Sequence, residues 1–280
     1  MKTMRYRSKG QDVFFLEEVL VKLGYKVYIS EFFGRDTERA VKDFQQKQLL
    51  VVDGIVGPKT WSKLIEAQKD IITFNDKLLS EKDIEDFATH HNLELAMVKA
   101  VNEIESNGKG FLICGRPRIL FEGHVFWREL EARGIRPMDY VSEKTKDVLY
   151  KKWTKKYYRG GSGEYDRLEK SAGISDKPAF HESAYSAASW GSFQIMGFHY
   201  KNLGYVSIDQ FVAKMYEHER EHLTAFGAFI TTTVFKGKPL IDWVKIKNWT
   251  RFAEGYNGPG YKKNNYDVKL EKAYKKYSTS

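Results

Sequence analysis

The chain has 280 residues, 42% of them apolar and 15% aromatic, with a formal net charge of +9. That is enough apolar material for a sizeable core in one large domain, or in a small and a medium one, and it excludes global disorder. The positive balance favours anionic surfaces such as nucleic acid, anionic lipid or bacterial cell wall, without choosing among them. The single cysteine, Cys114, excludes an intramolecular disulfide and a thiolate zinc cluster. It has no activating base beside it in sequence and is expected to be a buried structural thiol. The first ten residues carry charge but no apolar h-region, so no secretory signal is expected, and no apolar run is long enough to cross a bilayer. Synthesis in a cytoplasm and no membrane insertion are therefore expected. A substrate beyond the membrane would need a separate release step.

Residues 1–67 read as a unit. Val13, Leu16, Leu20 and Leu23 recur at helical spacing before Gly24, and Ala40, Val41, Phe44 and Leu49 mark a second helix. Phe33-Gly-Arg-Asp-Thr37 and Val56-Gly-Pro-Lys-Thr60 echo one another, each an apolar residue, a glycine and a threonine opening a helix. Residues 68–76 lack Gly and Pro and are expected to form a short, partly helical linker. From 77 onward Ser80 is an N-cap candidate with acids in the first turn, and 93–106 reads as a helix. Residues 118–122 read as a short strand. Residues 140–170 are basic and tyrosine-rich around a flexible tip at Gly160-Gly-Ser-Gly163, and the pattern is helical again from Ser207. The expected fold is mainly α, with a small β element. No Lys/Arg block reads as a nucleic-acid motif.

The chemistry concentrates in Val101-Asn-Glu-Ile-Glu-Ser106. On an ideal α-helix Val98, Val101 and Glu105 share one face, while Ala96, Lys99 and Glu103 form a more polar stripe. Glu105 is thus expected to be partly desolvated, which raises a carboxyl pKa and suits a general acid. Glu122 is a second carboxylate candidate: a base positioning water, an electrostatic stabiliser or a structural partner. His124, two residues on, points the same way if the segment is extended. Gln194 in Gly191-Ser-Phe-Gln-Ile195 is expected either to bind an N-acetyl group or to brace its loop. Tyr256 and Asn257 are expected either to meet a sugar or to pack a turn. Trp190, Phe193 and Phe198 read as core.

His218-Glu-Arg-Glu-His222 matches the zincin pattern H-E-x-x-H letter for letter, with Glu219 as potential base. Its residues also lie on an apolar helical stripe with Phe211, Met215, Phe226 and Phe229, which reads as a packing face. A third zinc ligand has no obvious candidate.

Two resemblances organise these pieces. The N-terminal unit resembles three-helix peptidoglycan-binding domains through Gly10, Val13, Leu16, Leu20, Gly24-Tyr25, Phe33-Gly34, Thr37, Ala40-Val41, Phe44-Gln45, Asp53-Gly-Ile-Val-Gly57 and Thr60-Trp61. It departs from them over 26–32, where the family often has a shorter loop. The resemblance implies wall binding around Asp53, Gly54, Gly57, Thr60 and Trp61, although the first three equally build a turn. Residues 77–280 resemble the phage-type N-acetylmuramidase domain of modular endolysins. The matching motifs are Val101-Asn-Glu-Ile-Glu-Ser106, Gly115-Arg-Pro-Arg-Ile-Leu-Phe-Glu122, Ala187-Ala-Ser-Trp-Gly-Ser-Phe-Gln-Ile-Met-Gly197 and Gly255-Tyr-Asn-Gly-Pro-Gly-Tyr261.

The second resemblance implies a lysozyme-like, mostly α catalytic domain that cleaves the β-1,4 bond between N-acetylmuramic acid and N-acetylglucosamine. Glu105 would be the acid and Glu122 the second carboxylate. Ser106, His124, Gln194, Tyr256 and Asn257 would line the substrate. It implies a monomer acting on bacterial peptidoglycan without metal or organic cofactor, reaching the wall through a holin-type pore. A lytic transglycosylase using the same glutamate is the nearest alternative, and a zinc peptidase at His218, Glu219 and His222 a more distant one.

Overall fold

The computed structural model describes residues 3–68, 77–106, 110–112 and 115–279. Cys114 and residues 69–76 of the expected 68–76 linker lie outside the described residues. Three helices come first: α1 (Gln11–Lys22), α2 (Arg35–Lys47) and α3 (Pro58–Gln68). Val13, Leu16, Leu20, Phe33, Val41, Phe44, Val56, Trp61 and Leu64 bury their side chains between them. The two echoing motifs do equivalent jobs. Phe33 and Val56 are fully buried, and Thr37 and Thr60 turn inward at the starts of α2 and α3. Leu49 departs from expectation. It stands beyond the end of α2 with φ 56°, and it is 94% exposed.

The rest of the described chain is helical around a small sheet. It contains α4 (Glu81–His91), α5 (Leu95–Val101), β1 (Ile119–Phe121), α6 (Gly123–Ala132), α7 (Gly163–Ala172), α8 (Pro178–Ser186), β2 (Ala188–Trp190), β3 (Ile195–Met196), α9 (Ile208–Glu217) and α10 (Glu219–Thr232). A hairpin of β4 (Val234–Phe235) and β5 (Lys238–Pro239) leads to α11 (Leu240–Lys245), α12 (Trp249–Asn257) and α13 (Tyr266–Ser278). Ser80 and Asp83 form a full capping box on α4. The sheet order is β1-β2-β3, antiparallel, with Ile119 opposite Trp190 and Phe121 opposite Ala188.

Two apolar clusters hold this region. One lies around β1, β2, α6 and α8, and includes Phe121, Phe126, Phe180 and Trp190. The other lies beneath α5, and includes Val98, Val101, Phe193, Phe226 and Phe252. The 160–163 tip is not a free loop, because the backbone N–H groups of Arg159 and Gly160 both donate to Glu164 Oε1.

Candidate active site

The expected single helix over 93–106 is instead α5 followed by a π-helical turn, Asn102–Ser106. Met97, Val98, Ala100 and Val101 anchor α5 in the core. The widened turn then changes the angular position of each later side chain, so the ideal-helix face drawn for Glu105 does not apply. Ser106 is buried, and its Oγ donates to the Asn102 carbonyl at 2.6 Å. It braces the turn, which is not the substrate contact expected of it. Such single π-turns recur at functional sites because they re-aim a side chain within a helix.

Glu105 lies in this turn and is half-buried. Desolvation lifts its carboxyl pKa from the usual range to about 7, and among the described residues the opposing influence is the Asn257 amide, which donates to Oε1 at 3.2 Å. The acid form is therefore well populated at neutral pH. Tyr256 and Tyr266 sense the Glu105 charge, although burial is the larger cause of their own raised values. Glu103, two residues earlier, has the opposite setting. Lys276 Nζ at 2.7 Å and Tyr277 Oη at 2.6 Å bind its carboxylate and hold its pKa down. Environment alone pushes the two carboxyl pKa values in opposite directions.

Glu122 sits where β1 gives way to α6. Its backbone N–H bonds the Ala187 carbonyl at 3.0 Å, which fixes it to β2. Tyr158 Oη donates to Oε1 at 2.6 Å, while His124 Nδ1 lies 3.3 Å from Oε2 without hydrogen-bond alignment. Burial raises the Glu122 pKa and Tyr158 opposes that rise. The Glu122–His124 proximity was expected of an extended strand, but it arises in the first turn of α6. Burial lowers the His124 pKa, and the nearby Arg128 charge acts the same way. Tyr158 was missed from the sequence, since nothing in Lys155-Lys-Tyr-Tyr158 says which tyrosine turns inward.

Gln194 and Tyr256 act as braces. Gln194 has φ 49°, accepts from Ser189 Oγ at 2.9 Å and donates to the Gly191 and Arg118 carbonyls at 2.8 and 3.2 Å. Its amide is consumed inside its own loop, so the N-acetyl contact gives way to the bracing role. Tyr256 donates to the Phe193 carbonyl at 2.8 Å and stacks on Phe252. This packs α12 against the same loop, with Phe252 against one face of the ring. Asn257 is thus the residue of the Tyr-Asn-Gly motif that touches the acid.

Among the described residues, the H-E-x-x-H match is not gathered into a metal-ligand cluster. His218 has φ −164° and ψ 152°, so it ends α9 and caps α10, and the continuous helical stripe expected here is broken. His218 Nδ1 accepts from Arg220 N. His222 uses both ring nitrogens: Nδ1 accepts from Ser192 N at 3.1 Å, and Nε2 lies 2.7 Å from the Met215 carbonyl. Glu219 accepts from the Leu79 and Gly110 N–H groups at 2.9 and 3.0 Å. These residues form a buried node between the segment that follows Glu105 and the Gly-Ser-Phe-Gln loop. A Cβ on Gly110 would come within 2.3 Å of Ser192 Oγ, and one on Gly191 within 2.7 Å of the His222 ring.

In the N-terminal domain the expected wall contacts are largely turned inward. Gln45 Nε2 donates to Asp53 Oδ1, the Ile55 carbonyl and Thr60 Oγ1, while its Oε1 accepts from Gly54 N. Asp53 Oδ1 also accepts from Ile55 N. Thr60 and Trp61 are buried, and Gly57 provides the carbonyl that starts α3. This cluster builds the turn between α2 and α3, the alternative the sequence left open.

The family model for N-acetylmuramidase matches residues 94–278, and the model for peptidoglycan binding domains matches residues 9–64. Among solved structures, the crystal structure of the Burkholderia AP3 phage endolysin is similar at 40% identity over 100% of both chains, with a TM-score of 0.66. Among curated proteins, none matches the sequence. With an N-terminal peptidoglycan-binding module ahead of it, the chain belongs to the N-acetylmuramidase family.

Proposed function

We propose that Glu105 is the general acid of this peptidoglycan hydrolase. It protonates the oxygen of the β-1,4 bond between N-acetylmuramic acid and N-acetylglucosamine, and the result is lysis of the bacterial wall. The observation that carries this reading is the Glu105 carboxyl itself, buried at a π-turn with its pKa raised to about 7 and a single amide donor beside it. A glycosidase acid must hold its proton at working pH and release it to the leaving oxygen, and desolvation provides that. Asn257 then steadies the carboxylate left behind. Glu122 is the second carboxylate. Its Oε2 makes no hydrogen bond among the described residues, and Tyr158 orients Oε1. It takes the proton of the attacking water or stabilises the oxocarbenium-like sugar.

Gln194, Tyr256, Ser106, Glu219 and His222 hold the two carboxylates' loops in place. The three-helix domain, residues 1–67, keeps the enzyme on its polymeric substrate and raises the local concentration of glycan at the domain formed by 77–280. The protein acts as a monomer on peptidoglycan, and a holin-type pore gives it passage from the cytoplasm. Nucleic acid and membrane are not its partners.

Mass spectrometry of fragments released from purified peptidoglycan tests the reaction. Wild type should release reducing N-acetylmuramic acid ends, unaffected by EDTA, and Glu105→Gln should release none. Anhydro ends would make the enzyme a lytic transglycosylase, and chelator-sensitive peptide cleavage would reject the reading.

A further inference from the structure

The stretch between Asp147 and Glu164 contains no acidic residue, yet it carries Lys151, Lys152, Lys155, Lys156 and Arg159 together with Trp153, Tyr157 and Tyr158. The four lysines are exposed, and among the described residues none of them is in an ion pair. Neighbouring cations are neutralised: Lys146 by Glu143, and Arg159 and Lys170 by Asp147. Trp153 is 57% exposed. Lys155 Nζ lies 5.8 Å from the centre of its ring, and Lys156 Nζ lies 5.3 Å from that of Tyr157.

A run of lysines on a loose loop would be an ordinary solvated surface. This one is anchored at its C-terminal end. The Arg159 and Gly160 N–H groups bond Glu164 Oε1, and Glu164 Oε2 pairs at 2.7 Å with Arg167 in full burial. Arg167 in turn donates to the Phe121 carbonyl, one residue before Glu122. The stretch also reaches the site directly. The Tyr158 hydroxyl donates to Glu122 Oε1 at 2.6 Å, and the Lys155 charge acts on Glu122.

We infer that residues 151–158 form a substrate subsite for the anionic part of the glycan, engaging the carboxylates of the stem peptides with lysines and a sugar face with Trp153. The inference rests on the muramidase reading. Like charges held close together repel, and a polyanion relieves that repulsion. An exposed indole flanked by ammonium groups offers an apolar plane to a pyranose ring and cations to the acids it bears. The link through Tyr158 places this binding next to Glu122.

The test uses the full chain with Lys151→Gln, Lys152→Gln and Lys156→Gln combined, none of which touches Glu122. On intact peptidoglycan the variant should lose about tenfold in kcat/KM, through KM, with a flatter dependence on salt. On glycan strands stripped of stem peptides it should match wild type. An equal loss on both substrates, or no loss on either, overturns the subsite. So does a defect confined to binding phosphatidylglycerol vesicles or single-stranded DNA, which would assign the patch to another polymer. Titration of intact and stripped strands against the same lysine variant in a Glu105→Gln background reads binding without turnover. A wild type that yields no reducing ends would then reject the muramidase reading while leaving the subsite separately measurable.

Discussion

Asn257 donates its side-chain amide to Glu105 Oε1 at 3.2 Å, joining positions 152 residues apart. The contact works against burial, because it favours the ionised carboxylate while desolvation favours the acid. Replacing Asn257 with Ala should therefore push the Glu105 pKa further up. The alkaline limb of the kcat/KM profile should move to higher pH, and kcat at the optimum should fall because the product-side carboxylate loses its donor. A limb that stays put or moves to lower pH would remove Asn257 from this role.

Glu105 also makes a stability prediction. Its folded pKa of about 7 lies above the ordinary carboxylate value of 4.5. The folded state therefore binds the proton more tightly than the unfolded state. The resulting stability is fully present below about pH 4.5 and is lost as pH rises through about 7. Glu105→Gln removes the penalty of a buried charge. At pH 8 it should stabilise the protein by about 2 kcal/mol after allowance for partial solvent screening, and at pH 4 by nearly nothing. Its kcat near neutral pH should fall about 10²–10⁴-fold, below the release detectable in the fragment assay. Thermal melts at both pH values and turnover on peptidoglycan check the pair. A Glu105→Gln variant that is less stable at pH 8 would mean the carboxylate is well solvated or paired.

How far these features were legible from sequence depends on what each one needs. The small sheet and the three-helix module were readable because they follow from local patterning and ordered motifs. The π-turn was not, since 93–106 fits an α-helix and only the packing of Ser106 and Asn257 shows the extra residue. Gln194 and Tyr256 were ambiguous because an amide or a phenol that braces a loop and one that binds a sugar are the same residue in the same motif. The break at His218 was hidden by an unbroken apolar period across 211–229. It is settled by the Nδ1 cap on Arg220 and by the demand of Ser192 for the His222 ring.

His222 provides the third prediction. Burial holds its pKa down at about 4, so the neutral ring accepts from Ser192 N across the working range. This is a depressed pKa, so the stability it contributes is present above the ordinary value of 6.5 and is lost as pH falls through about 4. His222→Phe should lower stability and activity together. His222→Asn, which keeps an acceptor near the Nδ1 position, should recover part of both. EDTA should leave the wild-type rate unchanged. Chelator-sensitive turnover would revive the metal reading of His218, Glu219 and His222.

The last prediction concerns the wall-binding module. Gln45 is buried, and its amide serves Asp53, Gly54, Ile55 and Thr60 at distances between 2.9 and 3.2 Å. Gly54 cannot compensate by a side chain of its own. Its φ is 73°, and a Cβ there would fall 2.8 Å from Lys42 Cε. Gln45→Leu fills the volume but strands the Gly54 N–H and removes the amide donor from Asp53, the Ile55 carbonyl and Thr60, which costs about 2–4 kcal/mol for the several bonds lost. Denaturant unfolding of the full chain should show an early transition for this module. Binding to sacculi should fall while cleavage of short soluble glycan strands is retained, because Glu105 and Glu122 take no part in that turn. Loss of soluble-substrate turnover in Gln45→Leu would show that the module does more than anchor the enzyme.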